Sequence, residues 1–182
     1  MRKSIIAILM TFCLSIMTYA QTPRDRATEL KEQAQSSLNQ KDYIKARYLF
    51  KKAYEAFATR ENYPQAIECG VQANSLYVRE NFYKEGFELC RDMDQLIWAG
   101  EQNQKKVFYD LRFLVNKERL QMYTALKNPA QAKTQLNKLE ETANLAKNDS
   151  LTEVLLYTKA NYYYTFNQNT QGDACFRKLI NQ

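Results

Sequence analysis

Tyr43-x-x-Ala46-x-x-x-Phe50-x-x-Ala53 returns as Tyr83-x-x-Gly86-x-x-x-Cys90-x-x-Met93, then as Ala132-x-x-x-Leu136-x-x-Leu139, and again as Gly172-x-x-x-Phe176-x-x-Leu179. The small residues at 46, 86, 132 and 172 are separated by 40, 46 and 40 positions. Self-similarity at periods of this length marks a repeat architecture. Within each copy the three- and four-residue spacing gathers small and large side chains on one face of a helix. The small residue lets a neighbouring helix approach closely, and the residues four and seven later fill the groove between the two. The helix before the last copy carries a matching face, Leu156-x-x-Lys159-Ala160-x-x-Tyr163. In the first copy Leu30 and Ala34 stand in those places, with Ser37 where an aromatic is expected.

Around these copies the helix punctuation is legible. Thr22-Pro23-Arg24-Asp25 supplies a cap, a proline at the first helical position and an acid in the first turn. Asn62-Tyr63-Pro64-Gln65 and Asn128-Pro129-Ala130-Gln131 each offer Asn as a cap with glutamine three residues on, and Ser150-Leu151-Thr152-Glu153 reads as a capping box. Asp42 and Asn81 are further candidate caps, and Gly100 reads as a helix stop. The periodicity between these marks predicts eight helices, over about 23–39, 43–59, 64–79, 82–99, 102–126, 129–147, 151–167 and 170–181. Connections of two to four residues force neighbours to pack antiparallel. No segment carries a period of two, and 4 Gly with 3 Pro are too few to turn a β-sandwich or barrel. The expected fold is all-α, an α-solenoid of about four helical hairpins.

The chain of 182 residues is 45% apolar, enough for one domain with a packed core. It contains 0 His, which removes Ser-His and Cys-His nucleophile pairs, His-bearing zinc sites and the commonest general base near neutral pH. The acid pairs Asp92/Asp94 and Glu140/Glu141 lie close together on single helices, whereas a glycosidase needs carboxylates opposed across a cleft. No glycine-rich phosphate loop or nucleophile elbow is present. The sequence therefore reads as non-catalytic, with no cofactor and no metal site expected.

Residues 1–20 read as a secretory signal peptide: Arg2 and Lys3, an apolar run from Ser4 to Met17, then Thr18-Tyr19-Ala20 as the cleavage site. The run is shorter than a membrane anchor needs, and Cys13 lacks the small residues that precede a lipidated cysteine. Export is expected, with residues 21–182 as the mature segment and no membrane insertion by it. Loss of Arg2 and Lys3 leaves 24 cations against 20 acids, a net +4. Those charges are scattered singly along helix faces with no basic block, so nucleic acid is not an expected partner. Cys69, Cys90 and Cys175 contain no CxxC and read as small buried apolar side chains; a Cys69–Cys90 bridge across a hairpin is the weaker alternative.

The small/aromatic/small spacing of Ala46, Phe50 and Ala53 resembles the second helix of the tetratricopeptide repeat. Residues 27–60 match it best, the other units are longer, and the third has Asn116 and Arg119 where apolar residues are expected. The resemblance covers nearly all of the mature segment and implies a right-handed solenoid. The whole pattern, a signal ending Tyr19-Ala20-Gln21, long irregular repeats and Asn148-Asp149-Ser150-Leu151 between helices, is similar to the periplasmic part of membrane-spanning regulators from Bacteroidetes. In that family the repeats lead to a transmembrane helix and a histidine kinase or a LuxR-type helix-turn-helix. The resemblance thus implies a periplasmic sensory module that binds a protein or peptide, with room for a homodimer. A free-standing periplasmic scaffold without a signalling role is the alternative.

In the tetratricopeptide register the inner groove is lined by first-helix residues. These are Lys31, Gln35 and Asn39, then Ser75 and Arg79, then Lys117, and finally Tyr157, Asn161 and Tyr164. A groove of Lys, Arg, Asn and Gln suits an extended peptide or its carboxylate. Of the run Tyr162-Tyr163-Tyr164, whose members point 100° apart, Tyr163 is the expected core residue, with Tyr164 and Tyr157 turned to the inner surface. Trp98, near the end of its helix, reads as a packing residue.

Overall fold

The computed structural model describes residues 25–181; the expected signal peptide and Thr22, Pro23 and Arg24 lie outside them. Among the described residues the fold is all-α: eight helices and no strand. They are α1 (Arg26–Asn39), α2 (Tyr43–Ala58), α3 (Tyr63–Arg79), α4 (Tyr83–Gln104), α5 (Tyr109–Ala125), α6 (Pro129–Ala146), α7 (Asp149–Thr165) and α8 (Asn169–Ile180). Each helix packs on the next, and α3 with α5 and α5 with α7 also touch, the contact order of stacked hairpins.

Side-chain caps start most helices. Asp25, Asp42, Asn62 and Asn128 accept N–H bonds from Ala27, Lys45, Gln65 and Gln131 at 3.0, 3.2, 3.4 and 3.1 Å. Asp25, expected in the first turn, is itself the cap of α1, and two other expected caps move. Asn148, not Ser150, caps α7, accepting the Ser150 N–H at 3.0 Å. Asn81 is instead the left-handed residue of the α3–α4 turn, with φ 61°, and Phe82 takes the cap position without a side-chain bond.

That left-handed residue recurs. Lys41, Glu61, Asn81, Lys105, Lys127, Lys147 and Asn167 have φ between 50° and 63°, one in each of the seven connections. In five turns the next residue's N–H reaches back five positions: Asp42 to the Ser37 carbonyl, Asn62 to Phe57, Phe82 to Tyr77, Asn128 to Tyr123 and Gln168 to Tyr163, at 2.8–3.0 Å. This is the Schellman closure, and it satisfies carbonyls that a helix end leaves open. Asp42, Asn62 and Asn128 do two tasks at once, closing one helix and capping the next.

Glycine, the usual occupant of such a turn, is absent from all seven. Its 4 copies lie inside helices at close approaches. Gly100 is one of them. It does not stop α4, which runs on to Gln104, and α5 begins at Tyr109 instead of near 102. A Cβ at Gly100 would sit 2.8 Å from the Phe108 ring and 3.0 Å from the Tyr63 ring. The glycine is there because two aromatic rings, 5.7 Å apart, wedge against the helix backbone.

The repeat residues form the core as expected: Ala46, Phe50, Ala53, Gly86, Cys90, Met93, Ala132, Leu136 and Leu139 are buried. In the last copy Gly172 is buried while Phe176 and Leu179 are half-buried. The apolar interior divides into two clusters that meet on α5. Leu111, Val115 and Met122 face the first, with α1–α4, and Phe113 and Leu120 face the second, with α6 and α7. Tyr162, not Tyr163, is the buried tyrosine of α7, because Leu155, Thr158 and Tyr162 form the stripe turned into the array. Cys69, Cys90 and Cys175 are separate buried thiols, so the bridge between Cys69 and Cys90 is not made, and burial pushes both of those thiols up to about 12.

Three substitutions test this account by thermal denaturation. Lys41→Gly and Lys127→Gly each relieve a left-handed backbone and should raise stability by about 0.5–1 kcal/mol. Gly100→Ala should lower it by about 1–3 kcal/mol, since the Phe108 ring must shift to admit the methyl and Tyr63 beside it is buried, although alanine is the better helix former.

Candidate functional site

The nine groove residues expected from the sequence do not stay together. Lys31 is engaged between helices: its Nζ donates to Gln65 Oε1 at 2.8 Å and to Glu68 Oε2 at 2.7 Å, both on α3. Gln35 donates to Asn39 at 3.1 Å within α1. Ser75 donates to Glu118 at 3.3 Å, and the Arg79 guanidinium lies 3.9 Å from the centre of the Tyr43 ring. Tyr164 turns to α8, donating to Asp173 Oδ1 at 2.5 Å and stacking on Phe176. Gly172 makes room for it, since a Cβ there would lie 3.0 Å from the Tyr164 ring.

Three of the nine do converge. Lys117 from α5 and Tyr157 and Asn161 from α7 line one cleft of about 370 Å³, with Gln121, Thr124 and Lys127 on the α5 side and Val154 and Thr165 on the α7 side. Its lining has two lysines and no acid. Tyr157 is 54% exposed and Lys127 lies at the left-handed turn after α5.

The helix under this cleft is anchored from its other side. Glu118 is fully buried, accepting from Asn74 Nδ2 at 3.1 Å and from Ser75, while Lys117 Nζ lies 3.2 Å from its second oxygen, an ionic contact outside hydrogen-bond geometry. A buried carboxylate is tolerable only with such partners. These contacts fix the rotation of α5 about its axis, and with it the direction of Lys117.

A second, larger cleft of about 600 Å³ opens between α4, α5 and α6. Its floor is a stripe of α5 at helical spacing, Arg112, Asn116 and Arg119, and Trp98, Val107 and Leu145 form its exposed apolar rim. Both arginines are held. Arg112 donates through Nε to Glu101 at 2.7 Å and through a second nitrogen to the other carboxylate oxygen. Arg119 donates to Asp94 at 2.5 Å and to the Cys90 carbonyl at 2.9 Å. Glu101 also accepts the Phe108 N–H at 2.9 Å, standing in for the side-chain cap that α5 lacks. The Arg112 guanidinium, helped by that N–H, holds the Glu101 carboxyl below its usual value of 4.5 against the opposing effect of burial.

The sequence carried a signal for this cleft: Asn116 and Arg119 stand where the repeat expects apolar residues, and the step from 86 to 132 is six longer than its neighbours. Trp98, expected as a packing residue, is 62% exposed on the rim. Among the described residues there is no cluster of three His, Cys, Asp or Glu fit for a metal, and no helix long and apolar enough to cross a membrane. No protein-family model, no curated protein and no solved structure matches the chain.

Glu101→Gln tests the clasp between α4 and α5. Because its folded-state pKa is depressed, the carboxylate contributes stability that is complete above the ordinary value and lost as pH falls through the lower folded one. Denaturation midpoints measured from pH 7 to pH 3 should differ between wild type and Glu101→Gln at neutral pH, and the gap should shrink as pH falls below the ordinary value of 4.5. A constant gap over that range would mean that the charge contributes nothing.

Proposed function

We propose that this chain is a protein- or peptide-binding module of an exported protein, built of tetratricopeptide-like hairpins in a right-handed solenoid. In this reading it is the periplasmic sensory part of a signal-transduction regulator. The observation that carries the binding role is the cleft between α5 and α7, where Lys117, Tyr157 and Asn161 come together on the face that the tetratricopeptide register assigns to a ligand.

The chemistry of the lining supports an extended acidic peptide. Gln121 and Asn161 offer amide donors and acceptors that match a peptide backbone. Lys127 offers a charge for a carboxylate, while Tyr157 and Val154 supply exposed apolar surface for a side chain. Lys117 is partly committed to Glu118, so Lys127 carries most of the attraction. No chemistry on the peptide is implied: the lining contains neither a nucleophile beside a base nor a pair of carboxylates. Signalling would follow if occupancy changed the angle between the hairpins that carry α5 and α7, or a contact with a second copy.

An immobilised library of acidic peptides is the direct probe. Lys127→Glu combined with Tyr157→Ala should weaken capture by about tenfold or more while leaving far-ultraviolet circular dichroism unchanged. Unchanged capture would sink the proposed groove. Fractionation of native cells with an antibody addresses the signalling half. A large species in the membrane fraction supports the sensor, and a soluble periplasmic species with the mass of residues 21–182 supports the scaffold.

A further inference from the structure

We infer that the cleft between α4, α5 and α6 binds a neutral oligosaccharide, on a site separate from the peptide groove and independent of it. The cavity of about 600 Å³ is within the range of small-ligand sites. Its chemistry selects the class of occupant.

The floor is polar, its arginines are paired, and the remaining charges of the cleft balance in sum. Arg112 is paired with Glu101 and Arg119 with Asp94, while α6 contributes both Lys138 and Glu141. An anion drawn to Lys138 meets Glu141 one helical turn on, and a cation drawn to Glu141 meets Lys138, so the cleft as a whole favours neither charge. The planar groups still have hydrogen-bonding capacity left over. Each guanidinium carries five N–H donors, of which the observed bonds use only some, and Asn116 adds a donor and an acceptor. A sugar hydroxyl is donor and acceptor at once, so it can use both halves of such a floor. A purely apolar occupant would leave those groups without partners, at a cost for each. The ion pairs also fix where the spare donors point, which lowers the ordering entropy lost on binding.

The rim supplies the other half of the recognition. Trp98 is 62% exposed, a large aromatic face with no ring partner among the described residues. A pyranose ring has an apolar face of C–H groups beneath its hydroxyls. Laid on the indole, it buries that face while its edge hydroxyls reach Asn116 and the arginines. An extended peptide also has paired donors and acceptors, but its backbone presents no flat apolar face to a single exposed ring.

Trp98 is the 1 tryptophan of the whole sequence, so its emission reports on this cleft alone. The full chain would be titrated with cellotetraose, maltotetraose, mannotetraose and chitotetraose. The expected result is a saturable emission change with at least one of them, with Kd between about 10 µM and 1 mM. Asn116→Ala should then weaken that binding by about tenfold, as should Glu141→Gln on the opposite wall, with unaltered helicity. Tyr157→Ala, in the other cleft, should leave it unchanged. Absence of a saturable response to all four sugars at about 10 mM would overturn the assignment. So would a Trp98 response to the acidic peptide library without one to the sugars, which would make this cleft a peptide groove. Wild-type affinity in both Asn116→Ala and Glu141→Gln would remove the site from this cleft.

Discussion

One residue in the left-handed conformation at every connection is the constraint on which the architecture rests. A helix that ends in a Schellman closure reverses within two or three residues, and the next helix has little choice but to lie against the one just made. The left-handed residues fall at 41, 61 and 81 and again at 127, 147 and 167, equal intervals of 20 residues. Within these two stretches the helices run 14 to 18 residues, and each lies against the next. The repeat seen in the side chains is therefore matched by a repeat in the backbone. The turns use Lys, Glu and Asn where glycine is cheaper, and the glycines are kept for places where two helices, or a helix and a ring, come too close for a Cβ.

The regularity fails once, and the larger cleft lies at the failure. Between the left-handed residues at 81 and 127 the intervals lengthen to 24 and 22, through the extension of α4 to Gln104 and the longer connection before α5. In a strictly periodic array α5 would offer an apolar residue at each position facing its neighbours. Here α5 turns a polar stripe to the gap between α4 and α6, and ion pairs with α4 take over from apolar packing. Glu118 makes the same exchange on the opposite side, toward α3. The helix that makes these contacts thus borders both clefts, and its rotation is set by hydrogen bonds, which are directional where apolar packing is not.

Most of the fold was legible because its signals are local. Asp42, Asn62 and Asn128 announce helix starts through bonds that span three residues, and the small residues at 46, 86, 132 and 172 mark the buried face without reference to anything distant. Gly100 was misleading for a physical reason: a glycine near a helix end and a glycine under a ring look alike in sequence, and only the positions of Tyr63 and Phe108 tell them apart. Tyr162 and Tyr163 differ by a rotation that the neighbouring helices decide. The groove was less legible for the same cause. The tetratricopeptide register would put Lys31, Ser75 and Arg79 on one face with Lys117, yet their partners Gln65, Glu68, Glu118 and Tyr43 lie 34 to 43 residues away. Lys117, Tyr157 and Asn161 remained because the cleft between α5 and α7 leaves them space.

The sharing of α5 between two apolar clusters has a consequence for the integrity of the chain. Leu111, Val115 and Met122 belong to one interior and Phe113 and Leu120 to the other, interleaved along a single helix. The seam between the two halves of the molecule runs lengthwise through that helix, not across a loop. No peptide bond can therefore be cut to leave two fragments that each keep a complete interior. Severing before α5 strips the first cluster of one wall, and severing after it leaves the second exposed. An array that looks divisible into hairpins is, at its centre, indivisible.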